Sequence, residues 1–312
     1  MIDSIEMPNG GLPMAPVGLF VYRRASILPQ VIEALAKCPE FEDTPIYIFS
    51  DAPKNPSAEV DVAAVRAYVH SLSWNNIHLV EAPTNQGLAR SIEAGVAKLC
   101  KDYGRAIILE DDLIVSPAIL SWFNKALDRY SEEDRVFQIS GHTFDVYSMR
   151  RQRQGFFAPM ITSWGWATWD RAWDQYEAEI ADLDDIANDP SERRRFDLKG
   201  RYPYFKMVQN QISGKIDSWA IRWYLSVYKK KGLTLFPPRT LVRNVGSDVA
   251  ATHRGIGGRI RDLVAFRNGP EPCKIVPDLP ETVSVDQEKF DQLTRAIYWQ
   301  SSKWSPIHWI TR

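Results

Sequence analysis

An α/β fold, with a mostly parallel central sheet and helices on both faces, is predicted by three observations. Short apolar runs alternate with segments of helical apolar spacing from Pro16 to Ser140. The 312 residues are 45% hydrophobic and 25% charged, the composition of a folded chain long enough for about two domains or one large one. No Pro/Ser-rich linker separates the halves, which favours one composite unit.

Residues 16–22 read as a buried strand. Residues 26–37 read as a helix, because Ile27, Val31, Ile32, Leu35 and Ala36 share a face. Residues 45–50 are β-branched and aromatic, a second strand stopped by Asp51-Ala52-Pro53. Residues 60–72 are helical and 76–81 form a third strand. Residues 87–103 put Leu88, Ile92, Val96 and Leu99 on one helical face. Residues 106–109 form a fourth strand that runs into Glu110-Asp111-Asp112. Ser116 followed by Pro117 opens the next helix. Residues 136–140 are a fifth strand. In such sheets ligands bind beyond the carboxyl ends of the strands, so Arg23, Arg24, Asp51, Asn85 and the acidic triplet are the positions to inspect.

Beyond about Gly155 the character changes. Of 11 Trp, six fall at 164, 166, 169, 173, 219 and 223. Residues 182–195 are highly charged and read as a solvated helical excursion. Residues 215–231 contain a helix ended by Gly232, and 233–236 and 240–243 are short strands around Pro237-Pro238. The Gly-, Pro- and charge-rich tail is expected to wrap the domain. Its aromatic end, from Ile297 to Ile310, is a candidate for contact with a membrane surface, with packing on the domain the favoured reading.

Several classes are excluded or disfavoured. A net charge of −1 gives no footprint for nucleic acid. No apolar run approaches the ~18–20 residues that span a bilayer. The N-terminus lacks the basic and apolar regions of a cleaved leader. Cys38, Cys100 and Cys273 are odd in number without paired metal spacing, which suits reduced thiols in a cytoplasmic protein.

The sharpest feature is Glu110-Asp111-Asp112, three carboxylates directly after a buried strand. Side chains alternate faces, so Glu110 and Asp112 point one way and Asp111 the other. Such crowding raises carboxyl pKa values unless a cation or donors intervene. Mg2+ or Mn2+ is the natural partner, taking one or two carboxylates and leaving its other positions to water and phosphate. An acidic turn capping the next helix explains the same residues equally well by spacing alone.

Glu110-Asp111-Asp112-Leu113-Ile114-Val115-Ser116-Pro117 resembles the acidic signature of GT-A-fold glycosyltransferases, most of all that of the N-acetylglucosaminyltransferase I family. Other stretches resemble that family in the same order. Pro16-Val17-Gly18-Leu19-Phe20-Val21-Tyr22-Arg23-Arg24-Ala25 is similar to its first strand and Arg turn. Ile46-Tyr47-Ile48-Phe49-Ser50-Asp51 is similar to its second strand. Val136-Phe137-Gln138-Ile139-Ser140-Gly141 stands at its strand before the acceptor region. Trp164-Gly165-Trp166-Ala167-Thr168-Trp169 resembles its Gly-Trp segment, a motif also carried by bacterial proteins of this shape. Asp217-Ser218-Trp219 resembles its Trp-Asp-Asp-Trp stretch, with Ser in place of the second Asp.

The resemblance implies an inverting, metal-dependent glycosyltransferase with a UDP-sugar donor, UDP-GlcNAc first. The acceptor would be a saccharide, free or lipid-linked, in surface-polysaccharide or glycan assembly, at a cytoplasmic site that includes the inner face of the membrane. It implies a nucleotide-sugar half at residues 1–150, an acceptor half at 151–255 and a C-terminal extension at 256–312. Asp112 would meet the metal, and Glu110 and Asp111 the ribose and sugar hydroxyls. Arg24 and Asp51 would hold the uracil-ribose end, with turn formation the other role open to Asp51. Asn85 and Arg90 lie in a loop similar to one in many GT-A enzymes, or in a plain helix start. Asp217 would be the general base, or only the N-cap of the next helix. His253 would be a further metal ligand, with Arg254, Arg259 and Arg261 near the diphosphate. Trp164, Trp166 and Trp219 would stack on the acceptor's sugar faces.

Two rival classes remain. A sugar nucleotidyltransferase would carry a Gly-rich loop after its first strand, and Tyr22-Arg23-Arg24-Ala25-Ser26 has no glycine. A non-catalytic carbohydrate-binding protein would use the Trp residues but leaves the acidic triplet unexplained.

Overall fold

A computed structural model of the chain describes residues 13–246 and 271–301, with side chains to residue 299. β1 (Val17–Val21), β2 (Ile46–Ser50), β3 (Ile77–Glu81) and β4 (Arg105–Glu110) form a parallel half-sheet ordered β3-β2-β1-β4. β1 is buried throughout, as a central parallel strand covered on both faces must be. Phe20 of β1 and Glu110 of β4 are register partners, which brings the end of β4 beside the turn that follows β1.

The connections are α1 (Leu28–Leu35), α2 (Glu59–His70) and α3 (Leu88–Tyr103). Each overlaps the stretch whose apolar spacing predicts it, shifted by one or two residues at the ends. After β4 the chain forms a short strand, β5 (Leu113–Val115), which the apolar pattern does not predict, and then α4 (Ile119–Arg129). The Ser116 hydroxyl accepts from the Ala118 amide at 3.0 Å, so Ser116 supports the start of α4 from three residues upstream.

Past β4 the sheet continues through strands that come later in the chain. They are β6 (Val136–Ser140), β7 (Phe156–Ala158), β8 (Trp166–Trp169) and β9 (Leu233–Phe236), and the full order is β3-β2-β1-β4-β8-β6-β9-β7. β8 is antiparallel to β4 and β6, and β7 is antiparallel to β9. The other six strands run one way, so the sheet is mostly parallel. Among the described residues β10 (Val242–Asn244) pairs only with β5, Asn244 opposite Leu113.

Helices α5 (Asp170–Trp173), α6 (Asp184–Asn188), α7 (Pro190–Phe196), α8 (Tyr204–Ile212) and α9 (Trp219–Lys229) surround an aromatic second core. The charged excursion is two helices rather than one, because Pro190 opens α7 and Asp189 caps it, accepting from the Ser191 amide at 2.7 Å.

The described part of the tail packs on the domain. Gln154 bridges to Asp278 and Phe157 to Val285, so the segment covers the outer edge of β7. α10 (Gln287–Ser301) buries Phe290, Leu293 and Ile297 in the second core. Among the described residues no helix is long and apolar enough to cross a membrane.

Candidate active site

The carboxyl ends of β1, β2 and β4 and the start of α3 enclose a cleft of about 760 Å3, within the range of small-ligand sites. Glu110 and Asp111 line its floor, together with Gly246, whose backbone lies against Asp112. The Asp111 amide donates to the Phe20 carbonyl at 3.0 Å, continuing the ladder one residue past β4. This places the Asp111 carboxylate under the β1 turn, where Oδ2 accepts from the Tyr22 amide at 3.1 Å and Oδ1 from Arg24 Nη1 at 2.5 Å. The same guanidinium nitrogen lies 3.3 Å from Asp112 Oδ2. Asp111 and Asp112 are 3% and 7% exposed, so little water screens them.

Charge in this cluster is unbalanced. Burial pushes the Glu110 carboxyl up to about 8, helped by the charges of Asp112 and Asp111 and opposed by Arg24. Burial also raises Asp112, against the pull of Arg24 and a hydrogen bond from Asn244. One guanidinium thus serves three carboxyl groups, of which Glu110 is mostly protonated at neutral pH.

A lid over Asp112 comes from β10. The Val245 amide donates to the Asp112 carbonyl at 2.8 Å, and the Gly246 amide to Asn244 Oδ1 at 2.9 Å. A Cβ at position 246 would collide with Asp112 Oδ2, so only glycine lets the backbone approach the carboxylate. Asn244 and Gly246 are functional candidates absent from the sequence reading. Their one local signal is a place just after a short strand, but the partner strand is about 130 residues away in the chain.

Asp51 stands at the end of β2 on the cleft wall, 8% exposed. Its Oδ1 accepts from the amides of Ala52 and Gln86, both at 2.8 Å. Its Oδ2 accepts from Asn85 Nδ2 and the Gly87 amide, both at 2.9 Å. A carboxylate has about four acceptor positions, and all four are used. The expectation that Asp51 reads a uracil is therefore corrected: it anchors the loop that enters α3. Asn85 donates to Asp51 and to the Ala52 carbonyl at 2.7 Å, so it belongs to the same clamp. Gly87 takes φ +76° at the helix start, a conformation that suits glycine. Arg90 is exposed and does not line the cleft.

Three further expectations are corrected. Trp166 is fully buried and Trp219 3% exposed, stacked on each other at 5.1 Å and 17°. Trp173 and Trp223 pack against Trp166 as well, so neither Trp166 nor Trp219 has a face for a sugar. Trp164 is only partly buried. It precedes β8, whose Trp166 is level with Ile108 of β4, so Trp164 lies toward the acidic end of the sheet. Asp217 is exposed, ion-paired to Arg222, and absent from the cleft wall. Arg222 also holds Glu93 of α3. Ser218, not Asp217, caps α9, accepting from the Ile221 amide at 3.4 Å. His253, Arg254, Arg259 and Arg261 lie outside the described residues.

The donor set suits a hard cation. Carboxylate oxygens with excess negative charge sit in a cleft that opens to further ligands. Among the described residues no group of three His, Cys, Asp or Glu side chains is placed to hold a metal ion by itself. Mg2+ or Mn2+ needs only one or two carboxylates, with water and phosphate completing its shell.

The acidic cluster and its cleft thus lie at the carboxyl edge of a parallel half-sheet, the edge at which open α/β sheets bind ligands. No protein-family model matches the sequence, and no curated protein matches it either. Among solved structures it is similar to the mannosyltransferase PcManGT from Pyrobaculum calidifontis in complex with GDP-Man and Mn2+, at 13% identity and TM-score 0.44, covering 95% of this chain and 73% of that one. It is also similar to GalNAc-T7 with UDP, GalNAc and Mn2+, at 10% identity and TM-score 0.44, covering 72% of this chain and 43% of that one. A third, TarS 1–349 of S. aureus in complex with UDP, has 14% identity and TM-score 0.29 over 47% of this chain and 41% of that one. The chain thus spans less than half the length of the last two. At these scores the likeness carries no weight for activity, which rests on the chain's own residues.

Proposed function

We propose that the chain is a metal-dependent glycosyltransferase that moves a sugar from a nucleotide-sugar donor to a saccharide acceptor, free or lipid-linked. The observation that carries the reading is the acidic cluster at the end of β4, where Arg24 pairs with the buried Asp111 and Asp112, and Glu110 and Asp111 line the cleft at the carboxyl ends of β1, β2 and β4. Asp112 is the proposed ligand for Mn2+ or Mg2+. The metal, when bound, would neutralise the diphosphate charge that develops as the nucleotide leaves. Arg24 holds the two aspartates in place and keeps a cation beside them. Asp51 and Asn85 fix the loop that walls the nucleotide side, and the partly buried Trp164, packed on His142, lies on the other side of β4. UDP is the nucleotide, and GlcNAc the sugar, supported by the sequence resemblance. The inverting course expected with Asp217 as base is not carried forward, because Asp217 is committed to Arg222 outside the cleft.

Thermal unfolding with UDP or GDP, with Mn2+ or EDTA, tests the reading. UDP should stabilise the wild type only with Mn2+, and Asp112→Ala should abolish the effect. A panel of sugar nucleotides then identifies the donor by metal-dependent hydrolysis. No response to any nucleotide, or stabilisation equal in EDTA, would overturn the reading.

A further inference from the structure

A second concave site lies on the same edge of the sheet. Arg150, Arg151, Arg153 and Arg239 line a cavity of about 120 Å3, with an apolar wall that includes Ile275 and Val276. Arg150 pairs with Asp145, and Arg153 lies 3.3 Å from Asp278. Arg151 and Arg239 are exposed and make no hydrogen bond or salt bridge among the described residues, although Asp145 feels the charge of Arg239 from a greater distance. Four guanidiniums therefore face two carboxylates on a chain whose overall charge is −1. Guanidinium donors in such a concentration match the geometry of oxyanions.

Its position gives the charge a purpose. Arg239 follows the end of β9, and Arg153 precedes β7, whose Phe156 is the register partner of Phe236. Both ends lie at the carboxyl edge of β9, which runs parallel to β6 and in the same direction as β4. The order β4-β8-β6-β9 sets the end of β9 three strands from the end of β4, about 14 Å at ~4.8 Å per strand. The nucleotide cleft occupies the opposite half, at the ends of β1 and β2. A ligand meeting the donor at β4 from the far side would pass the arginines.

We propose that the arginine cavity binds a phosphate, sulfate or carboxylate group carried by the acceptor, so that the acceptor is an anionic glycan rather than a neutral one. This rests on the glycosyltransferase reading for the word acceptor; the oxyanion site itself does not. Arg151 and Arg239 make the contacts, while Arg150 and Arg153, paired with aspartates, flank them. The cavity is too small for a second sugar nucleotide and large enough for one oxyanion group.

Binding of dextran sulfate and of neutral dextran to the full chain, in EDTA and without nucleotide, tests the inference. The wild type should bind only the sulfated polymer. Arg151→Gln with Arg239→Gln should weaken that binding at least about tenfold, the loss expected for two charge-assisted contacts. Lys37→Gln with Lys230→Gln removes the same charge from exposed positions elsewhere and should leave binding nearly unchanged. An equal loss in both double variants, binding of both polymers alike, or no binding would overturn it. Phosphatidylglycerol vesicles form a second arm. Retention on them that Arg151→Gln with Arg239→Gln abolishes, without dextran sulfate binding, would assign the oxyanion to a lipid headgroup and overturn the glycan. The UDP and Mn2+ response of the arginine variant is measured in parallel and should equal the wild type's. If the wild type shows no such response, the enzymatic reading fails while the polymer result stands separately.

Discussion

Replacing Asp51 by Asn changes one atom and tests what that carboxylate does. In the native protein its two oxygens accept from Ala52, Gln86 and Gly87 amides and from Asn85 Nδ2. The amide introduced by Asp51→Asn would keep one oxygen and turn an NH2 group against two donors. Two hydrogen bonds to a charged acceptor would be lost, at ~1.5–3 kcal/mol each, so the cost is about 3–6 kcal/mol. With Asp51 only 8% exposed, water offers little compensation. A domain of this kind has a total stability of about 5–15 kcal/mol, so the loop should detach locally before the whole chain unfolds. Hydrogen exchange at the Gln86 and Gly87 amides reads the loop, and urea unfolding reads the whole. Protection of both amides should fall sharply in Asp51→Asn. If both stay protected and stability stays within ~1 kcal/mol of wild type while nucleotide binding disappears, the carboxylate contacts the ligand directly and the loop-anchor argument fails.

Three other outcomes follow from the same structure. Gly246→Ala would drive a Cβ into Asp112 Oδ2, so it should weaken Mn2+-dependent UDP binding at least about tenfold with an unchanged circular dichroism spectrum; wild-type affinity would contradict the close approach. Burial lowers the His142 imidazole from 6.5 to about 3, so between those values the unfolded chain takes up a proton that the folded one refuses, and stability falls with falling pH. At pH 5 the loss is about 2 kcal/mol, and urea titrations at pH 7 and 5 should show His142→Gln without it. Trp166→Ala empties a fully buried site and should cost ~3–5 kcal/mol, whereas a variant of wild-type stability altered only in acceptor binding would return Trp166 to the surface role.

What the sequence disclosed and what it hid divide along a physical line. β1 to β4 and their helices were legible because each is a local pattern: an apolar run, a periodic face, a stop. The acidic triplet was legible for the same reason, since β4 delivers it to the carboxyl edge whatever surrounds it. Asp51 lines the cleft, but three of its four hydrogen bonds come from residues 34 to 36 positions later, and nothing near Asp51 in the chain records that. Asn244 and Gly246 reach Asp112 only because β10 pairs with β5. Trp166 and Trp219 show the sharpest ambiguity. A Trp that stacks on a sugar and a Trp that stacks on another Trp are the same residue in the same apolar context. The alternation of β8 resolves it only once both faces of that strand are seen to be covered, Trp166 entering one core and Ala167 and Trp169 the other. An interior strand carrying large rings on both faces has no surface to spare, so under the proposed reading an acceptor would be met by the loops, where Trp164 precedes β8 and the arginine cavity lies beyond the end of β9.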